Sequence, residues 1–108
     1  MTATVIDVVA ELEIPDQGMT SRVLYRDDRL RVVGFGFAAG GELTEHSAPV
    51  PVVIQVVRGR LRLTLGEETT ELGNGGWVHL PARLPHSVHA LEPTLMLLTL
   101  HAAAGGER

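Results

Sequence analysis

Five histidines, His46, His79, His86, His89 and His101, are the side chains of this 108-residue sequence best suited to chemistry near neutral pH. Imidazole exchanges protons between about pH 5 and 8 and is also the commonest metal ligand. Cysteine is absent. That excludes disulfides, thiolate metal centres and cysteine nucleophiles together, and leaves nitrogen and oxygen as the only metal ligands. Neither a Ser-His-Asp order nor a glycine-rich phosphate loop is present to support nucleophilic or phosphoryl-transfer chemistry. His46 lies beyond the Gly40-Gly41 turn and His86 directly after Pro85, whereas His79, His89 and His101 fall in or beside apolar runs. A histidine taken singly is most often a surface or internally satisfied residue. The surroundings of His46 and His86 set those two apart.

The elements that must position them are short strands. Glycine and proline recur too often through the middle of the chain for long helices. Between them, β-branched or alternating runs cover residues 22–26, 30–37, 52–57, 60–65, 69–72, 77–80, 87–91 and 95–101, a spacing that predicts an all-β sandwich or barrel. Arg60-Leu61-Arg62-Leu63-Thr64-Leu65 alternates strictly, with three leucines on one face and three polar groups on the other. Gly66-Glu67-Glu68 then separates it from residues 69–72, a loop suited to an antiparallel hairpin. The first 13 residues fit a strand or a short helix, residues 1–18 an extra strand or arm, and residues 102–108 a frayed tail.

Two stretches carry a more specific pattern. In the first, Gly40 precedes His46 by five intervening residues, and Ala48, Val52 and Gly59 follow at fixed offsets. In the second, Gly75 is followed after five residues by Pro81 and then by His86. Together they resemble the two motifs of the cupins, small jelly-roll barrels. The resemblance covers roughly residues 30–100 and implies one cupin domain over residues 1–108, an all-β double-stranded β-helix. Metal-binding cupins present His, His and Glu from the first motif and His from the second, a set that would suit iron, manganese, nickel or zinc. Here His46 and His86 occupy two of those positions, while Ala48 stands for the second His and Val52 for the Glu.

Two imidazoles are a poor cage for a divalent ion, so no full metal site and no cofactor are expected. If a metal binds, His79 or His101 would have to join His46 and His86. Gln55 has the wrong parity along its strand, and His89 is out of phase with His86. The expected ligand pocket is then His46, Ala48, Val52, Ile54, Val56, His86 and Val88, one or two polar handles in a mostly apolar cavity. His46 and His86 are also the candidate catalytic residues, since neighbouring buried imidazoles disfavour each other's charged forms and stay partly neutral. Three readings stay open: a metal-independent small-molecule binder, a metal-dependent dioxygenase- or isomerase-like enzyme with non-standard ligands, and an accessory module with a vestigial pocket.

Composition narrows the partners. A net charge of −4 argues against nucleic acid, which attracts basic surfaces. The apolar start, residues 4–9, is shorter than the roughly 20 residues of a membrane span. A cytoplasmic protein without nucleic-acid or membrane partners is expected. Residues 52–57 are apolar on both parities, which predicts cover on both faces, from residues 5–12 or from the second copy in a symmetric homodimer.

Overall fold

Valine- and leucine-rich runs, cut short by glycine and proline, become nine strands in the computed structural model, which describes residues 2–101. These are β1 (Met19–Arg26), β2 (Arg31–Phe37), β3 (Glu42–His46), β4 (Val52–Arg58), β5 (Leu61–Leu65), β6 (Glu68–Leu72), β7 (Trp77–Leu80), β8 (His86–Ala90) and β9 (Thr94–Leu100). One sheet has the order β1-β2-β9-β4-β7 and the other β3-β8-β5-β6, with every pairing antiparallel. This is the expected jelly roll. The frayed tail expected at residues 102–108 lies outside the described residues.

Alternation along each strand sends its apolar residues between the sheets. On β4 Val52, Ile54 and Val56 are buried while Gln55 is exposed; on β5 Leu61 and Leu63 are buried while Arg62 is exposed. They pack with Phe37, Leu80, Val88 and Met96 in the centre of the core. Each such side chain contributes about 1.5–3 kcal/mol by leaving water. The β5–β6 turn is tighter than the sequence suggests. Leu65 pairs with Glu68, so the loop is Gly66-Glu67 alone, and Gly66 supplies the positive φ of 64° that the first position of such a turn requires.

The sequence misses β3. Glu42-Leu43-Thr44-Glu45-His46 has a single apolar residue, because β3 is an edge strand with only Leu43 half-buried. The N-terminal ambiguity resolves as an arm containing one helical turn, α1 (Val8–Glu11), capped where the Asp7 carboxylate accepts from the Ala10 amide at 3.2 Å. The arm then passes over the outer face of β2 at Gly34 and Gly36. A β-carbon there would stand 2.6 Å from a Leu12 methyl and 1.9 Å from the Glu13 carbonyl oxygen, respectively. Arg22 on β1 ties the arm down through the Glu11 carboxylate at 3.2 Å. The arm is therefore seated on β1 and β2 rather than on β4, the place expected for it. No helix among the described residues is long and apolar enough to cross a membrane.

Candidate functional site

The core does not fill the whole space between the sheets. At the end where β2, β4 and β8 begin and β9 finishes, a cavity of about 500 Å³ remains, of a size usual for small-molecule pockets. Val33, Phe35, Leu43, Val52, Leu98 and Leu100 supply most of its apolar wall, and Arg31, His46 and His86 its titratable groups.

Register brings the two histidines together. On β8 the step from Val88 to His86 is two residues, but on β3 the matching step from Leu43 to His46 is three. This bulge reverses the parity of β3 beyond Leu43, so Leu43 and His46 both line the cavity despite their odd separation. The His46 and His86 rings end with centroids 4.2 Å apart and planes inclined by 59°. The loop after β3 and the turn before β8 are joined where the Arg83 amide donates to the Ala48 carbonyl at 2.7 Å. Arg83 holds a left-handed φ of 69° to do so, a conformation uncommon outside glycine.

Both rings are held in the same tautomer. Nδ1 of His46 lies 3.0 Å from the Thr44 carbonyl and Nδ1 of His86 3.0 Å from the Leu84 carbonyl. A carbonyl only accepts, so each Nδ1 donates, and in the neutral form of either ring Nε2 is the acceptor. His86 is 2% exposed, and its Nε2 has no hydrogen-bond partner among the described residues. Burial pushes the His86 imidazole below its ordinary value; the Leu84 carbonyl bond partly opposes this, and repulsion from His46 adds to it. His86 is therefore a neutral acceptor near pH 7. His46 is exposed and covers it from the mouth side.

Of the residues expected to form the pocket, His46, Ala48, Val52 and His86 line the cavity. Ile54, Val56 and Val88 do not. They share the inward parity but sit deeper along the barrel, where Phe37, Leu61 and Leu63 close the space. His79 is also displaced from its expected role: it pairs with Val53 on the outward parity of β7 and is exposed. His101 is exposed just past β9 and absent from the lining, and His89 faces outward onto Glu42 at 2.9 Å. Sequence reasoning missed Arg31, although the alternation Arg31, Val33, Phe35, Phe37 places it on the inner face of β2.

Ala48 and Val52 offer no lone pair, and no third His, Cys, Asp or Glu groups with the two imidazoles among the described residues. Structural and catalytic zinc sites use three or more protein ligands. The residues present do not fit a resident divalent metal.

No curated protein matches the chain. Among solved structures it is similar to a conserved protein of unknown function from Streptococcus pyogenes, at 30% identity and a TM-score of 0.82, covering 94% of this chain and 89% of that one. An RmlC-like cupin from Desulfovibrio desulfuricans matches at 22% identity and a TM-score of 0.85, over 94% and 98% of the two chains. A salicylate 1,2-dioxygenase from Pseudaminobacter salicylatoxidans matches at 21% and 0.75, over 81% of this chain and 27% of the enzyme; these last two likenesses show the fold alone. The family model described as "Cupin domain" matches residues 35–100, which hold both motif frames, His46 and His86. With the jelly roll and the paired histidines in place, the chain belongs to the cupin family.

Proposed function

We propose that the protein binds a small molecule in the cavity between its sheets without a resident metal ion. His86 Nε2 carries this reading: a buried acceptor with no partner, in an apolar wall where Ala48 and Val52 replace donor side chains. A buried polar atom left unpaired costs about 1–3 kcal/mol, which a hydroxyl or N–H of a bound molecule would offset on displacing the His46 ring that covers it. The same neutral nitrogen is suited to accept a hydrogen bond from a ligand, while full proton transfer to it is opposed by the burial that keeps His86 neutral. The alternative is a metal-dependent enzyme, dioxygenase- or isomerase-like, completed by ligands from outside the chain.

Elemental analysis after exposure to iron, manganese, nickel and zinc separates the two. We expect no near-stoichiometric retention; metal that is retained, and lost in His46→Ala and His86→Ala, overturns the metal-free reading. A thermal-shift screen of metabolites is expected to give a hit whose effect disappears in Ala48→Phe and Val52→Phe. A screen without hits favours an accessory module with a vestigial pocket.

We also propose that a second copy seats on the outer face of β9, β4 and β7. Val53, Val57 and Leu97 lie there half-buried, and Trp77, on the edge strand, is 58% exposed.

A further inference from the structure

Among the described residues, Arg31 is the one formally charged side chain in the cavity wall, and no carboxylate lines that wall. It is half-buried on the inward parity of β2, in a row that runs Arg31, Leu100, Val52 across three strands. At about 4.8 Å per strand, the Arg31 and Val52 backbones stand roughly 10 Å apart. The cavity thus has a cation at one side and the histidine acceptors across from it on the other sheet.

The partner strand adds a second guanidinium. In β1 the register slips between Val23 and Tyr25, a bulge at Leu24, and Arg26 arrives directly opposite Arg31. Val23 pairs with Val33 on the inner face and Tyr25 with Val32 on the outer, so Arg26 returns to the inner side. Like charges directly opposite one another destabilise a strand pair. Neither arginine makes an ion pair among the described residues. A shallow depression lined by Arg26, Arg31, Pro49 and Leu100 is also bordered by Asp27, whose oxygens are engaged by the Tyr25 hydroxyl at 2.6 Å and by the Arg29 and Leu30 amides at 2.7 and 2.9 Å. That depression shares Arg31, Pro49 and Leu100 with the cavity, so the two guanidiniums stand at its mouth.

We infer that Arg31, with Arg26 beside it, is an anion-recognition site, and that the cavity's ligand is a small organic carboxylate whose apolar body lies against Val33, Phe35 and Leu98. A guanidinium presents a planar fork that matches a carboxylate, and the acid nearest this pair, Asp27, has its oxygens already engaged, which leaves both forks for a ligand's negative charge. The inference rests on the small-molecule reading above and adds the ligand's charge class to it.

The test is calorimetric titration of the full chain with matched pairs that share a skeleton: hexanoate and hexanamide, benzoate and benzamide, 3-hydroxybenzoate and 3-hydroxybenzamide, with acetate as the anion lacking an apolar body. At least one carboxylate is expected to bind ten or more times tighter than its amide and than acetate. Arg31→Gln should erase that preference, Arg31→Lys should restore part of it, and Arg26→Gln should weaken it. Arg31→Gln removes one of two opposed like charges, so its thermal midpoint should equal or exceed that of the parent, which shows that lost binding is not lost folding. Amides binding as tightly as carboxylates, with binding abolished by Ala48→Phe, would overturn the charge assignment and leave the pocket reading standing. Carboxylate binding unchanged in Arg31→Gln, or acetate equal to the larger acids, also overturns the assignment. If no member binds, the charge assignment fails, and the pocket reading stands or falls with the metabolite screen.

Discussion

His86 sits with its Nδ1 proton on a backbone carbonyl and its Nε2 buried, so adding a second proton means placing charge in an apolar wall beside another imidazole. In the unfolded chain the ring titrates at about 6.5; in the folded protein its value is lower. Between the two, the unfolded state binds the extra proton and the folded state does not, so stability must rise with pH. This contribution is complete above the unfolded value and is lost as the pH falls from about 6.5 through the lowered folded value. The melting temperature of the parent is therefore expected to drop between pH 7.5 and 5 by more than that of His86→Leu. Parallel profiles for the two proteins would show that His86 is not held neutral.

At the scale of elements, two bulges and two glycines decide what the strands present. The bulge in β3 turns His46 inward and the bulge in β1 does the same for Arg26. Neither is legible in the sequence, because a bulge is defined by the partner strand's count of residues and not by the strand's own pattern. The motif frames located His46, Ala48, Val52 and His86, since fixed spacing from turn glycines and prolines survives such irregularities. Parity alone could not separate Val52 from Ile54 and Val56. All three point inward, and only the filling of the opposite sheet decides which of them meets empty space. Gly34 and Gly36 make a further prediction. Alanine at Gly36 collides with the Glu13 backbone and must lift the arm, at a cost of about 1–3 kcal/mol, whereas alanine at Gly34 meets the movable end of the Leu12 side chain and should cost less. Denaturant unfolding of the two variants checks the order.

For the whole molecule, the all-β class and the antiparallel hairpin were readable from punctuation and alternation; the pairing of strands far apart in sequence was not. Arg31 pairs with Leu100 and Leu43 with Val88, contacts that local pattern does not encode. The second copy proposed for the outer face is tested at this scale. Trp77 is the only tryptophan, so its fluorescence reports that face without interference. Light scattering is expected to give twice the 11.6 kDa chain mass, and dilution to shift the emission to the red. Trp77→Arg should be a monomer that still carries the cavity. A parent that is monomeric at all concentrations removes this proposal.

The position of β9 between β2 and β4 has a consequence for how the protein is made. Of the nine strands, β9 leaves the ribosome after the other eight, and it is the one that joins the two halves of the larger sheet; β8, just before it, occupies an interior place in the other. Synthesis runs at about 5–20 residues per second. Until β9 has emerged, β2 and the valine-rich β4 lack the neighbour that pairs with both of them. The larger sheet cannot close before β9 has emerged, and during that wait the edge of β4 that β9 covers is open to capture by chaperones or by another nascent copy.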